Sequence, residues 1–319
     1  MSIPRPVIVR AALLATLLAC APLVGQAKDK DKEARPTHRF AVVGNDARAD
    51  SDARLKQALA DSSEKSVSFV VLTGIKGENE SCGDKLYLQR RDLFEHAKRP
   101  VIVSLSGSDW TGCRNSAKRT NAIERLNRLR ELLYGEPESL GATKIHLTQL
   151  SASPRFRSYA ENAHWKVDKV LYATINLPAA NNHFLPAAGR NSEYEDRAVA
   201  NRFWLNRLFS LARTDKVDAI VLFSEGDAKA SLEPTGLRAL LRRDPQGRDG
   251  FMETRRQILT LSQKFKGKVL LIDSAPHAKA TPAIEWHDNL GHLNVNHGAI
   301  EVAVRPGNKQ LFMLQDPAN

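Results

Sequence analysis

Six apolar runs rich in Val and Ile recur along the chain: "RFAVVG" (39–44), "VSFVVLTG" (67–74), "PVIVSLSG" (100–107), "KVLYATINL" (169–177), "VDAIVLF" (217–223) and "KVLLID" (268–273). Runs this long without polar alternation are what β-strands buried on both faces look like. Between them apolar positions recur with helical period, at 50–61, 84–97, 118–134, 193–213, 234–243 and 251–266. In "AIERLNRLRELL" the residues Ile123, Leu126, Leu129, Leu132 and Leu133 fall on one stripe, which predicts a helix laid against a core. Strand alternating with helix implies an α/β protein with parallel strands joined by crossovers, and chemistry in the loops that follow the strands. The end of the chain changes character. There "GAIEVAV" and "KQLFML" flank the turn-forming "RPGN", a hairpin signal that calls for a mixed sheet or a second sheet.

The N-terminal pattern is different again. Arg5 and Arg10 precede "AALLATLLACAPLVG", an apolar run too short for a good membrane span and placed where an export signal belongs, so 1–27 reads as a signal peptide. Gly25-Gln26-Ala27 suits ordinary cleavage, whereas "LLAC" would leave a lipid anchor on Cys20; the mature protein is then periplasmic or secreted, with no transmembrane span. Residues 28–38, "KDKDKEARPTH", read as a disordered charged linker. From Arg39 to Asn319 no second linker, repeat or low-complexity segment interrupts the pattern, which implies one domain.

Net charge is +11, but the basic residues are interspersed with acids and lack aromatic interleaving. No recognised nucleic-acid motif is present either, which favours a solvated basic surface with a weak attraction to anionic envelope surfaces over a nucleic-acid site. After signal removal Cys82 and Cys113 are the remaining cysteines. An even number in an exported chain reads as one disulfide, with two free thiols as the alternative.

The loops after the strands carry the candidate chemistry. Asn45 and Asp46 follow the first strand, Ile75 and Lys76 the second, Ser108 and Asp109 the third. Asn176, Asn181, Asn182 and His183 follow the fourth run, and Asp273 and His277 the sixth. There is no glycine-rich phosphate loop, and with no Gly-x-Ser-x-Gly elbow a serine-hydrolase reading has no support. His287, His292 and His297 recur every five residues, a spacing that matches neither a helix face nor a strand face and gives a metal reading no geometric warrant.

Taken in order, "FAVVGNDARAD", "VVLTGIKGENESCGDKLYLQRRDLF", "VIVSLSGSDWTGC", "ERLNRLRELLYGEPESLG", "ENAHW", "YATINLPAANN", "WLNRLFSLA" and "KVLLIDSAPH" resemble an exported branch of the calcineurin-like metallophosphoesterase family over nearly the whole mature chain. The resemblance implies a four-layer α/β/β/α sandwich of two mixed sheets, with acids, an amide and histidines at the strand ends around two metal ions. It also places Cys82 and Cys113 on neighbouring loops, where they would be bonded. Several family positions are altered. Gly44-Asn45 stands for Gly-Asp, Gly74-Ile75-Lys76 for Gly-Asp-Ile-Lys, Gly107-Ser108-Asp109-Trp110 for Gly-Asp-Asn-Glu-Trp, and Asp273-Ser274-Ala275-Pro276-His277 for His-Gly-Asp-Thr-His.

Losing one ligand weakens a metal site, whereas losing most of them removes it. The expectation is therefore a catalytically degenerate relative that acts as a binding or interaction module and needs no cofactor. The alternative is an active metal-dependent phosphoric ester hydrolase holding one divalent ion (Mn, Fe or Zn) through Asp46, Asp109, Asp273 and His277; the same four residues read equally as loop-capping acids and a surface or hydrogen-bonded histidine. A structural envelope protein is the second alternative. Asn45, Asn176, Asn181, Asn182 and His183 are candidate ligand-binding residues, their amides suited either to ligand oxygens or to turn stabilisation.

Overall fold

The structure is a computed structural model that describes residues 1–2, 37–44, 51–63, 67–185, 189, 191–230, 249–276, 281–295, 298–307 and 310–315. The expected export signal beyond its first two residues, Cys20, most of the linker, the 234–243 helix, and Asn45, Asp46, His277 and His297 lie outside the described residues. By contact the chain divides into Met1–Glu33 and Ala34–Asn319, and the second unit contains everything below.

The first half of this unit runs β1 (His38–Gly44), α1 (Ser51–Asp61), β2 (Val67–Thr73), α2 (Asp84–Glu95), β3 (Val101–Ser104), α3 (Gly107–Trp110) and α4 (Ala122–Leu133). The second half runs β4 (Thr148–Gln149), β5 (Ala163–Val167), β6 (Val170–Thr174), α5 (Ser192–Thr214), β7 (Ala219–Phe223), α6 (Met252–Gln263), β8 (Lys268–Asp273), β9 (Glu285–His287), β10 (Leu290–Asn294), β11 (Gly298–Val304) and β12 (Phe312–Gln315). Two mixed sheets result, ordered β12-β11-β1-β2-β3 and β4-β5-β6-β7-β8-β10-β9. Within them β1, β2 and β3 are parallel, as are β6, β7, β8 and β10. The expected hairpin at "RPGN" pairs β11 with β12.

Alternation along the strands explains the layering. Phe40, Val42, Phe69, Val71 and Ile102 of the first sheet share a core with Tyr172, Val221, Leu270 and Ile272 of the second, so these faces meet. The opposite face of the first sheet, Ala41, Val70 and Val103, packs on Leu55 of α1, Phe94 of α2 and Leu126 and Leu129 of α4. The opposite face of the second, Leu171, Ile220 and Leu271, packs on Trp204 and Leu208 of α5 and Ile258 of α6. This is an α/β sandwich, each large apolar side chain contributing roughly 1.5–3 kcal/mol by leaving water.

Five details depart from the sequence reading. Strand β3 stops at Ser104 because the chain turns into α3, and β6 stops at Thr174 where an asparagine network takes over the backbone. His38, assigned to the linker, opens β1, and its Nε2 lies 2.6 Å from the Tyr172 hydroxyl of the second sheet. Ile123 is 53% exposed while Leu126, Leu129, Leu132 and Leu133 are buried, since Ala122 rather than Ile123 faces the core in the first turn. Strands β4, β5, β9 and β10 have no counterpart among the six apolar runs.

The parallel strands of both sheets end on one rim. A Cβ on Gly44 would stand 2.1 Å from the Val295 carbonyl oxygen, so the ends of β1 and β10 touch. Ser104 Oγ donates to the Phe223 carbonyl at 3.4 Å, which joins the ends of β3 and β7. Across the first sheet's loops Cys82 and Cys113 form a disulfide, with Cα atoms 5.9 Å apart.

Candidate functional site: the strand-end rim

At the end of β2 the backbone turns through Gly74, whose φ of 93° is open to glycine, and Ile75 enters the helix-side core with no exposed surface. The Ile75 carbonyl accepts Nε of the fully buried Arg90 at 3.0 Å, and Arg90 also pairs with Asp52 and Glu80. The amides of Ile75 and Lys76 donate to Asp109 Oδ1 at 2.9 and 3.2 Å, and that of Ser106 donates to Oδ2 at 2.8 Å. Asp109 is fully buried, and this burial pushes its carboxyl up against the pull of those amides and of Lys76. Asp109 thus fastens the β2 loop to the N-terminus of α3. Lys76 is buried as well, with Nζ donating to the Gly77 carbonyl at 2.7 Å; burial pushes its amine down, opposed by Asp109, Glu80 and Glu78.

Glu225, after β7, ties the sheets together. Its Oε2 accepts the amides of Gly107 and Ala179 at 2.5 and 2.7 Å, and its own carbonyl accepts the Ser274 amide. Burial pushes its carboxyl up to about 7 despite the two amides, with Asp109 and Glu78 adding to the rise. Next to it Gly226 is required by space: a Cβ there would lie 2.7 Å from the Phe251 ring and 2.8 Å from the Leu177 carbonyl.

Beyond β6 the asparagines form a closed network. The Asn176 amide N–H donates to Asn162 Oδ1 at 2.9 Å, Asn176 Nδ2 to Glu161 at 3.1 Å, and Asn201 Nδ2 to the Asn176 carbonyl at 3.0 Å. Asn176 Oδ1 is buried and has no hydrogen-bond partner among the described residues. Asn181, Asn182 and His183 all have φ near +50°, a left-handed run costing on the order of 1–3 kcal/mol per residue. It is held by Arg197 on the side chain and carbonyl of Asn182, by Asn182 Nδ2 on the Gly250 carbonyl, and by Glu193 facing His183. Burial opposes ionisation of Glu193, but His183 and Arg197 outweigh it and hold the carboxyl down at about 2.

The remaining cluster lies at the ends of β7, β8 and β10. His292 Nε2 sits 2.5 Å from Asp273 Oδ2 and 3.8 Å from Asp227 Oδ1, and one ligand atom from each residue falls within 4.8 Å of the others. Asp273 is oriented by Asn294 Nδ2 and the Ala275 amide, at 2.7 and 2.9 Å on Oδ1. Burial raises the Asp273 carboxyl, His292 counteracting. Burial also opposes charging of His292, yet Asp273, Asp227 and Glu285 outweigh it and hold the imidazole above its ordinary value.

The candidate residues are therefore dispersed. Asp273 joins Asp227 and His292, Asp109 is bound to backbone amides, and Asp46, Asn45 and His277 lie outside the described residues. Asn176 and Asn182 are buried in the network, Asn181 is exposed and His183 half-buried. Glu225, Asp227 and His292 are absent from the candidates that sequence reasoning yields. The strand-end rule applies to the loop after "VDAIVLF" as much as to the others, and there it points to Glu225 and Asp227. For His292 the five-residue interval is a hairpin: His287 pairs with Leu290 and Glu285 with His292 around the Asp288-Asn289 turn, Asp288 having a φ of 55°.

A dinuclear centre of the metallophosphoesterase type needs several carboxylate oxygens free to face two ions. At the ends of β2 and β3 the residues do not fit it, because Ile75 turns into the core, Asp109 accepts three main-chain amides, and Lys76 brings a positive charge. The chain matches no protein-family model and no curated protein sequence. The resemblance to metallophosphoesterases thus rests on the sequence blocks alone.

Proposed function

We propose that this chain is an exported, metallophosphoesterase-like protein in which the dinuclear centre has been lost, and that it acts as a binding or interaction module. The observation that carries this reading is the junction of Ile75 and Asp109. Where the family resemblance calls for an acid bridging two metals, a buried isoleucine stands, and the nearest buried acid serves the backbone. Removing hydrogen-bonded Asp109 from three amides to bind an ion would leave those donors unsatisfied, at a cost of about 1–3 kcal/mol each. Export is supported by the disulfide, which forms and persists in oxidising compartments, and among the described residues no helix is long and apolar enough to cross a membrane.

The test is hydrolysis of a generic aryl phosphomonoester and phosphodiester by the purified protein with Mn²⁺, Fe²⁺ or Zn²⁺, and again after chelation. The expected result is a rate indifferent to metal and chelator. Metal-dependent turnover that is lost on chelation, with one ion or two, would overturn the reading.

A further inference from the structure

We propose that Asp227, Asp273 and His292 form a mononuclear binding site for a divalent transition-metal cation, Zn²⁺ or Mn²⁺, on the helix-facing side of the second sheet. Its position follows from strand alternation. In β8, Val269 and Leu271 pack in the core shared with α5 and α6 while Leu270 and Ile272 face the other sheet, so Asp273 points to the helix side. In β10, Leu290 belongs to the helix-side core and Leu293 to the inter-sheet core, which puts His292 and Asn294 on the same side as Asp273. Asn294 is also the register partner of Asp273. This is the opposite face from the seam between the sheets that Glu225 spans by bonding Gly107.

The donor set suits such an ion. Two hard carboxylate oxygens and one borderline imidazole nitrogen make a mixed set that both Mn²⁺ and Zn²⁺ accept, and three protein ligands leave room for water. Donors on a tetrahedral ion with bonds near 2.1 Å lie roughly 3.4 Å apart. The 3.8 Å from His292 Nε2 to Asp227 is close to that value, whereas the 2.5 Å contact to Asp273 is a hydrogen bond that an ion would replace as the two groups part. Strands β8 and β10 and the loop after β7 supply the ligands, so a bound ion would tie these three segments together.

Charge and orientation supply the second argument. A single Nε2–H can serve only one of the two carboxylates, and the group stays net negative whether the imidazole is neutral or protonated. Glu285, the register partner of His292, adds a further negative charge on the neighbouring strand. The carboxylates are not free to swing away. Asp273 is held from behind by Asn294 and Ala275, and Asp227 Oδ1 accepts the Lys229 amide at 2.6 Å. Asn294 Nδ2 further bonds the Ala275 carbonyl at 2.9 Å, so the residue that orients the ligand is itself fixed, as partners behind metal ligands commonly are. With side-chain exposures of 13% for His292 and 15% for Asp227, an ion can reach the group from solvent.

The test is titration of metal-free protein with Zn²⁺ or Mn²⁺ alone, by calorimetry and by melting temperature, for the wild type, Asp227→Asn and His292→Gln. One ion per wild-type chain is expected, with a higher melting temperature in its presence, and at least tenfold weaker binding in each variant. Circular dichroism of the metal-free variants controls for folding, and the near-isosteric Asp227→Asn keeps the test valid if His292→Gln unfolds. No ion on the wild type, or binding of equal strength in both variants, overturns the site. This outcome is separable from the proposed function, which fails on phosphoester hydrolysis and not on single-ion binding.

Discussion

Asp109, in α3 just after β3 of the first sheet, and Asp273, the last residue of β8 in the other, match in burial: 0% and 2% of their surface is exposed, and burial raises both carboxyls. They differ in what their oxygens accept. Asp109 takes three main-chain amides gathered from two loops, whereas Asp273 takes one main-chain amide, one side-chain amide and one imidazole, with a further acid nearby. The partners of Asp109 cannot be released without unmaking the local backbone. Those of Asp273 are largely side chains, and its imidazole partner is itself a metal-ligand type. Strand-end position therefore does not make an acid functional, and the partners of its oxygens separate architecture from a site.

Substitutions can break this contrast. The largest effect is expected from Asp109→Ala, which strands three buried amides and removes a negative charge beside buried Lys76; stability in a urea melt should drop by about 3–5 kcal/mol. A loss under about 1 kcal/mol would show that the first-sheet acid is not structural. Next comes the disulfide beside it. It closes a separation of 31 residues, and Cys82→Ser with Cys113→Ser should cost about 3–4 kcal/mol in the same melt.

A smaller effect lies outside both regions and calibrates them. His164 on β5 is pushed down to about 4, first by burial and then by the nearby Arg207. The folded state thus favours the neutral imidazole, and its contribution is full above the unfolded value near 6.5 and is lost as pH falls through about 4. His164→Gln should flatten that part of the melting-temperature profile against pH, and an unchanged slope would refute the assignment. Least affected is the metal-free stability of Asp227→Asn. The side chain is only partly buried, so a change under about 1 kcal/mol is expected, and a loss as large as that of Asp109→Ala would erase the distinction between the two regions.

The strands buried on both faces are plainly written in the sequence, because continuous Val and Ile runs such as "FAVV", "FVVL" and "AIVLF" need no partner information to be read. Strands β5, β9 and β10 are not, since "AHWKV", "EWH" and "LGHLN" mix His, Trp, Gly and Asn and owe their strand state to neighbours. Asp273 is legible as a strand-end acid. Its partner His292 becomes legible only once the turn at Asp288 and Asn289 resets the count of residues, a signal present in the sequence as a short turn flanked by strand-like residues. The role of Asp109 can be read only as one of two options, because the amides it holds belong to Ile75 and Lys76, more than thirty residues earlier.

The most direct measurement of the contrast is the number of divalent ions per chain after equilibrium dialysis against Zn²⁺ or Mn²⁺, for the wild type and Asp227→Asn side by side. With the free ion held near the wild-type dissociation constant, one class of site on the wild type and a much lower occupancy on the variant is the predicted result. Two ions on the wild type would mean that the first-sheet rim binds metal after all, and an occupancy unchanged by Asp227→Asn, or none on either chain, would contradict the second-sheet site.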